Sequence, residues 1–300
     1  MTESYFGTLK RHGVKLSFAL LLGYLFYMTV TYLIAFLLMI PVILIGTAAG
    51  SDADQIAESL FSEPGGIAFA VVLLLLLFLA ITLAESFFIA GAYGAASAGV
   101  FRDESSIGSF FSEGLRNLWK MFGQQVLLGL FFMVPLLLVT LPFGLLAETE
   151  EPSPIAALLM FLIMVGYLWV FMYAPLLLIV ERTGVWDSIR LAFGLIIKKP
   201  GQTLLSGLIA LAIILGTLLL AVFVMVVLPA ISVALTGGNG AVAVILSILG
   251  VLFFLFAIFY AFSAALLVIV HRYKTRLRSF LFPVSPNREG EIAGAHVPDA

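Results

Sequence analysis

The chain has 300 residues, 62% of them hydrophobic and 11% charged, with a mean hydropathy of +1.18. A soluble domain is about a quarter charged, so this composition excludes an ordinary water-soluble protein and indicates a polytopic membrane protein. The formal charge of -2 says little until the charges are placed. The absence of cysteine excludes disulfides, thiolate metal sites and cysteine nucleophiles, and leaves the redox compartment open.

At the N-terminus, Lys10, Arg11 and Lys15 precede an apolar run from Leu16 to Ile45, and "TAAGS" near position 48 has the look of a cleavage site. The run is about twice the 7–15 residues of a signal-peptide core, so it reads as a retained first span. About 20 apolar residues cross a hydrocarbon layer of about 30 Å. Six stretches qualify: 17–45, 67–100, 122–146, 155–180, 202–235 and 242–270. Each is expected to be helical, because lipid cannot satisfy open backbone groups, and tilt, kinks or protrusion must absorb the excess length.

Every lysine and arginine falls on one side of these six spans. Lys10, Arg11 and Lys15 precede the first; Arg102, Arg116 and Lys120 separate the second and third; Arg182, Arg190, Lys198 and Lys199 separate the fourth and fifth. Arg272, Lys274, Arg276, Arg278 and Arg288 follow the sixth. The opposite loops hold Asp52, Asp54, Glu58, Glu63, Glu148, Glu150 and Glu151 and no basic residue. The positive-inside rule then predicts cytoplasmic termini and an inner-membrane, multi-pass protein.

Three stretches share an outline: "SYFGTLKRHGVKLSFALLLG" (4–23), "SFFSEGLRNLWKMFGQQVLLG" (109–129) and "SIRLAFGLIIKKPGQTLLSG" (188–207). Each runs from a serine through aromatic and basic residues to Gly23, Gly129 or Gly207, and each even-numbered span ends at Arg102, Arg182 or Arg272. The expected unit is a cytoplasmic amphipathic segment, a span, an outer loop and a returning span, present three times. Any pseudo-symmetry axis would lie along the membrane normal. Helical alpha-hairpins without common ancestry give the same outline.

In the second stretch Ile107, Phe110, Phe111, Leu115, Leu118, Trp119 and Phe122 form an apolar stripe at helical spacing, opposite Ser112, Glu113, Arg116 and Lys120. In the third, Val185, Trp186, Ile189, Ala192, Phe193, Ile196 and Ile197 form the stripe, opposite Asp187 and Arg190. Lys198 and Lys199 suit its last turn, and Pro200-Gly201 should break it. Helices of this kind lie flat at the headgroup level, where each basic residue contributes about 1 kcal/mol towards anionic lipid. Trp119, Arg116, Lys120, Trp186, Arg190, Lys198, Lys199, Arg272 and Lys274 are the candidate lipid or partner contacts. The same helices serve equally as struts that fix the following spans.

The stretch "PLLLIVERTGVWDSIRLAFGLIIKKPG" (175–201) resembles a pattern in bacterial six-helix membrane proteins, the YciC-like and glycerophosphodiester-phosphodiesterase membrane-domain-like groups. Pro175, Glu181, Arg182, Ser188, Phe193 and Lys198 fit that outline, with a looser likeness over 100–280. The resemblance implies a six-helix fold and a membrane location. These groups are largely uncharacterised, so it implies no activity, and the soluble hydrolase domain that gives one group its name has no counterpart here.

His12, His271 and His296 lie in basic or tail segments without a second ligand nearby in sequence, so no metal is expected. Neither an acyl-transfer elbow nor a nucleotide-phosphate loop occurs; "TGGNG" (236–240) reads as an outer turn. Glu85 is the one acidic residue well inside a predicted span. Its place depends on the second span: near mid-bilayer if the span runs to Phe101, near the inner interface if it ends by Ala90 and "GAYGAASAG" (91–99) extends beyond. Intramembrane carboxylates are functional candidates by default. In the same stretch Gly91, Ala95 and Gly99 recur at a spacing that lets helices approach closely, within the chain or between subunits. Pro41, Pro135, Pro142 and Pro229 in the odd spans can kink them.

The expected fold is an all-α, six-span membrane domain over 1–281, with hairpin repeats of about 4–101, 105–181 and 185–272 and cytoplasmic interfacial amphipathic helices. An acidic outer loop over 46–66 is expected, with a short helix around "DADQIAESLF", and a disordered tail over 282–300. The expected function is non-enzymatic and needs no cofactor: an accessory or scaffold protein that engages anionic inner-leaflet headgroups, a membrane-protein partner or another copy of itself, and no nucleic acid. The alternative is a transporter, channel or lipid-translocating protein with a groove near span two and Glu85.

Overall fold

The computed structural model describes residues 4–49, 64–146, 154–236 and 240–282. The acidic outer loop with its short helix, the Gly-rich turn and the C-terminal tail lie largely or wholly outside those residues. The described residues form helices joined by short turns, with no strand among them: α1 (Tyr5–Ala49), α2 (Pro64–Phe101), α3 (Ile107–Leu146), α4 (Pro154–Val180), α5 (Val185–Lys198), α6 (Pro200–Thr236) and α7 (Gly240–Arg272). A π-helical turn, Tyr273–Leu277, and a last turn, Arg278–Leu281, extend α7. All of these helices except the short α5 contain stretches long and apolar enough to cross a membrane.

These helices are longer than a bilayer needs. α1 has 45 residues and α2 has 38, about 67 and 57 Å at a rise of about 1.5 Å per residue. The hydrocarbon layer takes up about 30 Å. The surplus turns of several helices converge at the end that carries the lysines and arginines, and there they form a protein core. Phe110, Met121, Leu128, Tyr173, Leu176, Leu177, Leu195, Leu267, Tyr273 and Leu277 are all fully buried in it. The opposite ends are sheathed in exposed leucine, valine and phenylalanine, the surface that lipid requires.

α2 is the central element, touching α1, α3, α4 and α7. Its partner of largest contact is α3, ahead of α1, so the tightest pairing of the second span crosses the boundary between the first and second expected hairpins. Small residues make this possible. A Cβ at Gly91 would lie 2.8 Å from the Phe110 carbonyl oxygen, and added Cβ atoms at Gly23 and Gly94 would meet the Phe110 ring and the Glu113 side chain. Ala95 is fully buried, and a Cβ at Gly99 would sit 3.4 Å from His12 Cγ and from Ser105 Cβ. The Gly91, Ala95 and Gly99 stripe is thus enclosed by α1, α3 and the loop between α2 and α3.

Two of the expected interfacial segments are continuous with their spans. α1 begins at Tyr5, and α3 runs unbroken from Ile107 through Pro135 and Pro142. Only 185–198 is a separate helix. It ends at Lys199, whose N–H bonds to the Leu195 carbonyl at 3.0 Å, and Pro200 opens α6, a position where its missing N–H costs nothing. Helix α5 buries Ser188, Ile189, Ala192 and Leu195 and leaves Trp186 and Ile197 exposed. Its packed face is therefore rotated from the expected stripe, because Gln124 of α3 donates to both the Ala174 carbonyl and the Ser188 hydroxyl and draws Ser188 inward.

Candidate functional site: an arginine-lined cleft

The ends of α2 and α4 are built alike. Just past α2, Asp103 has φ 56, and just past α4, Arg182 has φ 51, the left-handed turn that commonly closes helices. The N–H of Glu104 reaches back to the Ala98 carbonyl at 3.2 Å, and the Thr183 hydroxyl bonds to the Leu177 carbonyl at 3.2 Å. Lys274 adds a cap on α2, its ammonium donating to the Val100 carbonyl at 2.6 Å, where a cation complements the helix dipole.

Three carboxylates around these ends, Asp103, Glu113 and Glu181, hold assigned partners. Asp103 accepts from Arg11 at 3.1 Å and shares a 2.7 Å hydrogen bond with His12 Nε2. That bond, together with the charges of Arg11 and His12, holds the Asp103 carboxyl below the usual carboxylate range. His12, solitary in the sequence, thus gains a carboxylate neighbour from a residue 91 positions away. Glu113, expected on the polar outer face of its helix, is instead 5% exposed. It packs on Gly94 and accepts from Arg102 at 3.1 Å, from Arg116 and from Asn117. The reason is tertiary: at Gly94 the two helices come so close that the neighbouring face of α3 becomes interior. Glu181 is gripped by Arg278 at 2.8 and 3.3 Å and by the Tyr273 hydroxyl at 2.9 Å.

Between these ends lies a cleft of about 190 Å³ lined by Gly94, Ser97, Ala98, Phe101, Arg102, Glu113, Arg116, Ile179, Val180, Arg182 and Arg278. A second recess of about 270 Å³, lined by Arg116, Asn117, Lys120, Leu178 and Arg182, shares two arginines with it. Arg182 and Lys120 have no ion pair among the described residues, and the buried hydroxyl of Ser97, a cleft-lining residue, has no hydrogen-bond partner. The site therefore offers uncompensated positive charge and an unused donor.

Of the residues singled out from the sequence, Arg116 and Lys120 line this site, with exposed Trp119 beside them at 71%. Trp186, Arg190 and Lys198 lie on α5 and Lys199 caps its end, all outside the cleft lining; Lys199 stands 4.0 Å over the Phe280 ring. Arg272 donates to the Ser206 hydroxyl at 2.8 Å and lines a separate recess with Tyr5, His271 and Arg276. Glu85 stands on the exposed flank of α2, within electrostatic reach of Tyr167 on α4, and α2 runs as one helix past it to Phe101. Ser97, Arg102, Glu113, Arg182 and Arg278 also line the cleft, and no motif in the sequence marks them as site residues. The signal available for two of them was position, since Arg102 and Arg182 each close an even-numbered span.

No family model, curated protein or solved structure matches the chain. The findings define a class, a multi-pass helical membrane protein, and the functional reading rests on the site.

Proposed function

We propose that the chain is a non-enzymatic accessory or scaffold protein of the inner membrane, whose basic end faces the cytoplasm and engages anionic lipid headgroups or a membrane partner. The observation that carries this reading is the arginine-lined cleft. Five cationic side chains, Arg102, Arg116, Lys120, Arg182 and Arg278, line two recesses that share Arg116 and Arg182, with Glu113 as the one carboxylate among the described lining residues. Exposed Trp119 and Trp186 at the same end have the amphipathic rings that favour the headgroup layer.

The one-sided placement of lysine and arginine supports the orientation. The matching left-handed ends of α2 and α4 support a repeated hairpin plan, from which α7 departs by entering a π-helical turn. The likeness of 175–201 to the YciC-like groups belongs to the same reading. The test is purification in mild detergent, with mass spectrometry of what accompanies the protein and flux assays after reconstitution alone. Retained anionic lipid or a stoichiometric partner, with no flux, is expected; substrate-dependent flux by the protein alone would overturn the proposal in favour of transport.

A further inference from the structure

We infer that the cleft between the ends of α2, α3 and α4 is a site for one phosphate group of an anionic phospholipid, held by Arg102, Arg116, Arg182 and the Ser97 hydroxyl, with Lys120 at its rim. The inference deepens the functional reading above and rests on it.

Charge is the first argument. Asp103, Glu113 and Glu181 are each bound to arginines, with His12, Asn117 or Tyr273 as additional partners. Arg182 and Lys120 remain uncompensated among the described residues. Arginine is suited to phosphate because its planar fork supplies two parallel N–H donors to neighbouring oxygens. Arg102 and Arg116 each commit one amino group to Glu113 and keep further N–H groups for a ligand.

Ser97 is the second, independent argument. A helical serine commonly satisfies its hydroxyl on the carbonyl four residues back, as Ser17, Ser86, Ser206 and Ser263 do here. Ser97 is 8% exposed, lines the cleft and makes no such bond. A buried hydroxyl left unpaired is destabilising, and a phosphate oxygen accepting from it would relieve that cost. The cleft's 190 Å³ equals about six waters at ~30 Å³ each, enough for a four-oxygen phosphate.

The surface beside the site selects lipid over a soluble phosphate. Along α3, Arg116 and Lys120 form one ridge at i, i+4, and exposed Leu115 and Trp119 form the adjacent ridge. Buried Leu178 floors the second recess. A ligand with its phosphate among the arginines would lay its acyl part along this apolar ridge, the arrangement of a headgroup boundary.

The test is native mass spectrometry of the full chain in mild detergent, titrated separately with phosphatidic acid, phosphatidylglycerol, phosphatidylcholine and inorganic phosphate. One saturable anionic phospholipid per chain is expected, preferred over phosphatidylcholine. Arg182→Gln with Lys120→Gln should weaken it at least tenfold, and Arg182→Lys should restore part of the loss. Ser97→Ala should weaken it severalfold while the lipid-free thermal midpoint holds or rises, since the change removes an unpaired buried hydroxyl, whereas Arg190→Gln with Lys198→Gln on α5 should leave it as in the parent. Equal anionic-lipid affinity in the Arg182→Gln, Lys120→Gln protein would overturn the cleft assignment while the lipid-engaging function stood. No preference for anionic lipid would overturn the site, and the same preparation's lack of any retained lipid or partner would overturn the function. Inorganic phosphate binding as tightly as the lipids would overturn the lipid source.

Discussion

The two halves of α2 have opposite relations to the rest of the molecule. From Ile67 to Phe78 the helix is the more hydrophobic, and Val71, Val72, Leu74, Leu75, Leu76 and Phe78 are largely exposed. From Ala90 to Val100 it is built of glycine, alanine and serine around Tyr93, and every residue is buried. The comparison shows that in this protein hydrophobicity marks the lipid surface, and small size marks the core. Lipid is as apolar as leucine and gives two leucine-rich helices no reason to associate, whereas small residues let backbones approach and gain van der Waals contact.

The largest effect that would break this contrast is Gly91→Val. Its added atoms meet the Phe110 carbonyl at 2.8 Å and the ring at 2.9 Å, and backbone cannot yield as a side chain does. A loss of about 3 kcal/mol or more is expected, at the upper end of overpacking costs, read as a lowered thermal midpoint in detergent. Leu74→Ala in the outer half, at 62% exposure, should stay within about 0.5 kcal/mol. An equal loss from both would mean that the outer half is also an interface.

Glu113→Gln comes next and separates stability from binding. It removes the charge that Arg102 and Arg116 share, at a cost of about 1–2 kcal/mol, discounted because both arginines are half-exposed. The same change removes the one carboxylate that lines the cleft among the described residues, so phosphatidic acid should bind more tightly to the less stable protein. Weaker binding together with lower stability would make Glu113 a direct organiser of the ligand's partners.

The smallest effect is one of pH. The His12 hydrogen bond, with the charges of Arg11 and His12, lowers the Asp103 carboxyl in the folded state. Its contribution to stability is therefore full above the ordinary carboxylate value of about 4 and is lost as pH falls below that through the lowered folded value. The parent should lose thermal stability across that acidic window more steeply than Asp103→Asn. Asparagine tolerates the left-handed backbone at φ 56, so the substitution leaves the turn intact. Identical slopes would show that the contact contributes nothing to folding.

Much of the architecture was legible in advance, and the reasons differ by element. Six spans followed from run length, and the break at Lys199–Pro200 followed from proline chemistry. Helix α5 appears where amphipathic spacing places it, but its packed face differs from the apolar stripe because Ser188, polar by type, is drawn inward by Gln124. Periodicity places Glu113 on the outer face for the same reason, since it ranks residues by polarity and cannot register a glycine on another helix. The small-residue stripe was visible at 91, 95 and 99, while its seat against Phe110, Glu113 and His12 was not.

The sequence by itself determined that the chain is helical, that it has six membrane-length apolar stretches and that its basic residues alternate with them. Hydropathy and charge are properties of local runs, so no partner is needed to read them. The tertiary structure alone decided which basic residues meet. Arg102, Arg116, Arg182 and Arg278 come from four separate places in the chain, and they converge because Gly91 and Gly94 draw α3 onto α2 and because left-handed turns close α2 and α4 beside each other. Arg272, equivalent to Arg102 and Arg182 in the linear pattern, points to Ser206 instead. Its helix continues through a π turn where the other two stop, and where a helix stops decides where its terminal arginine can reach.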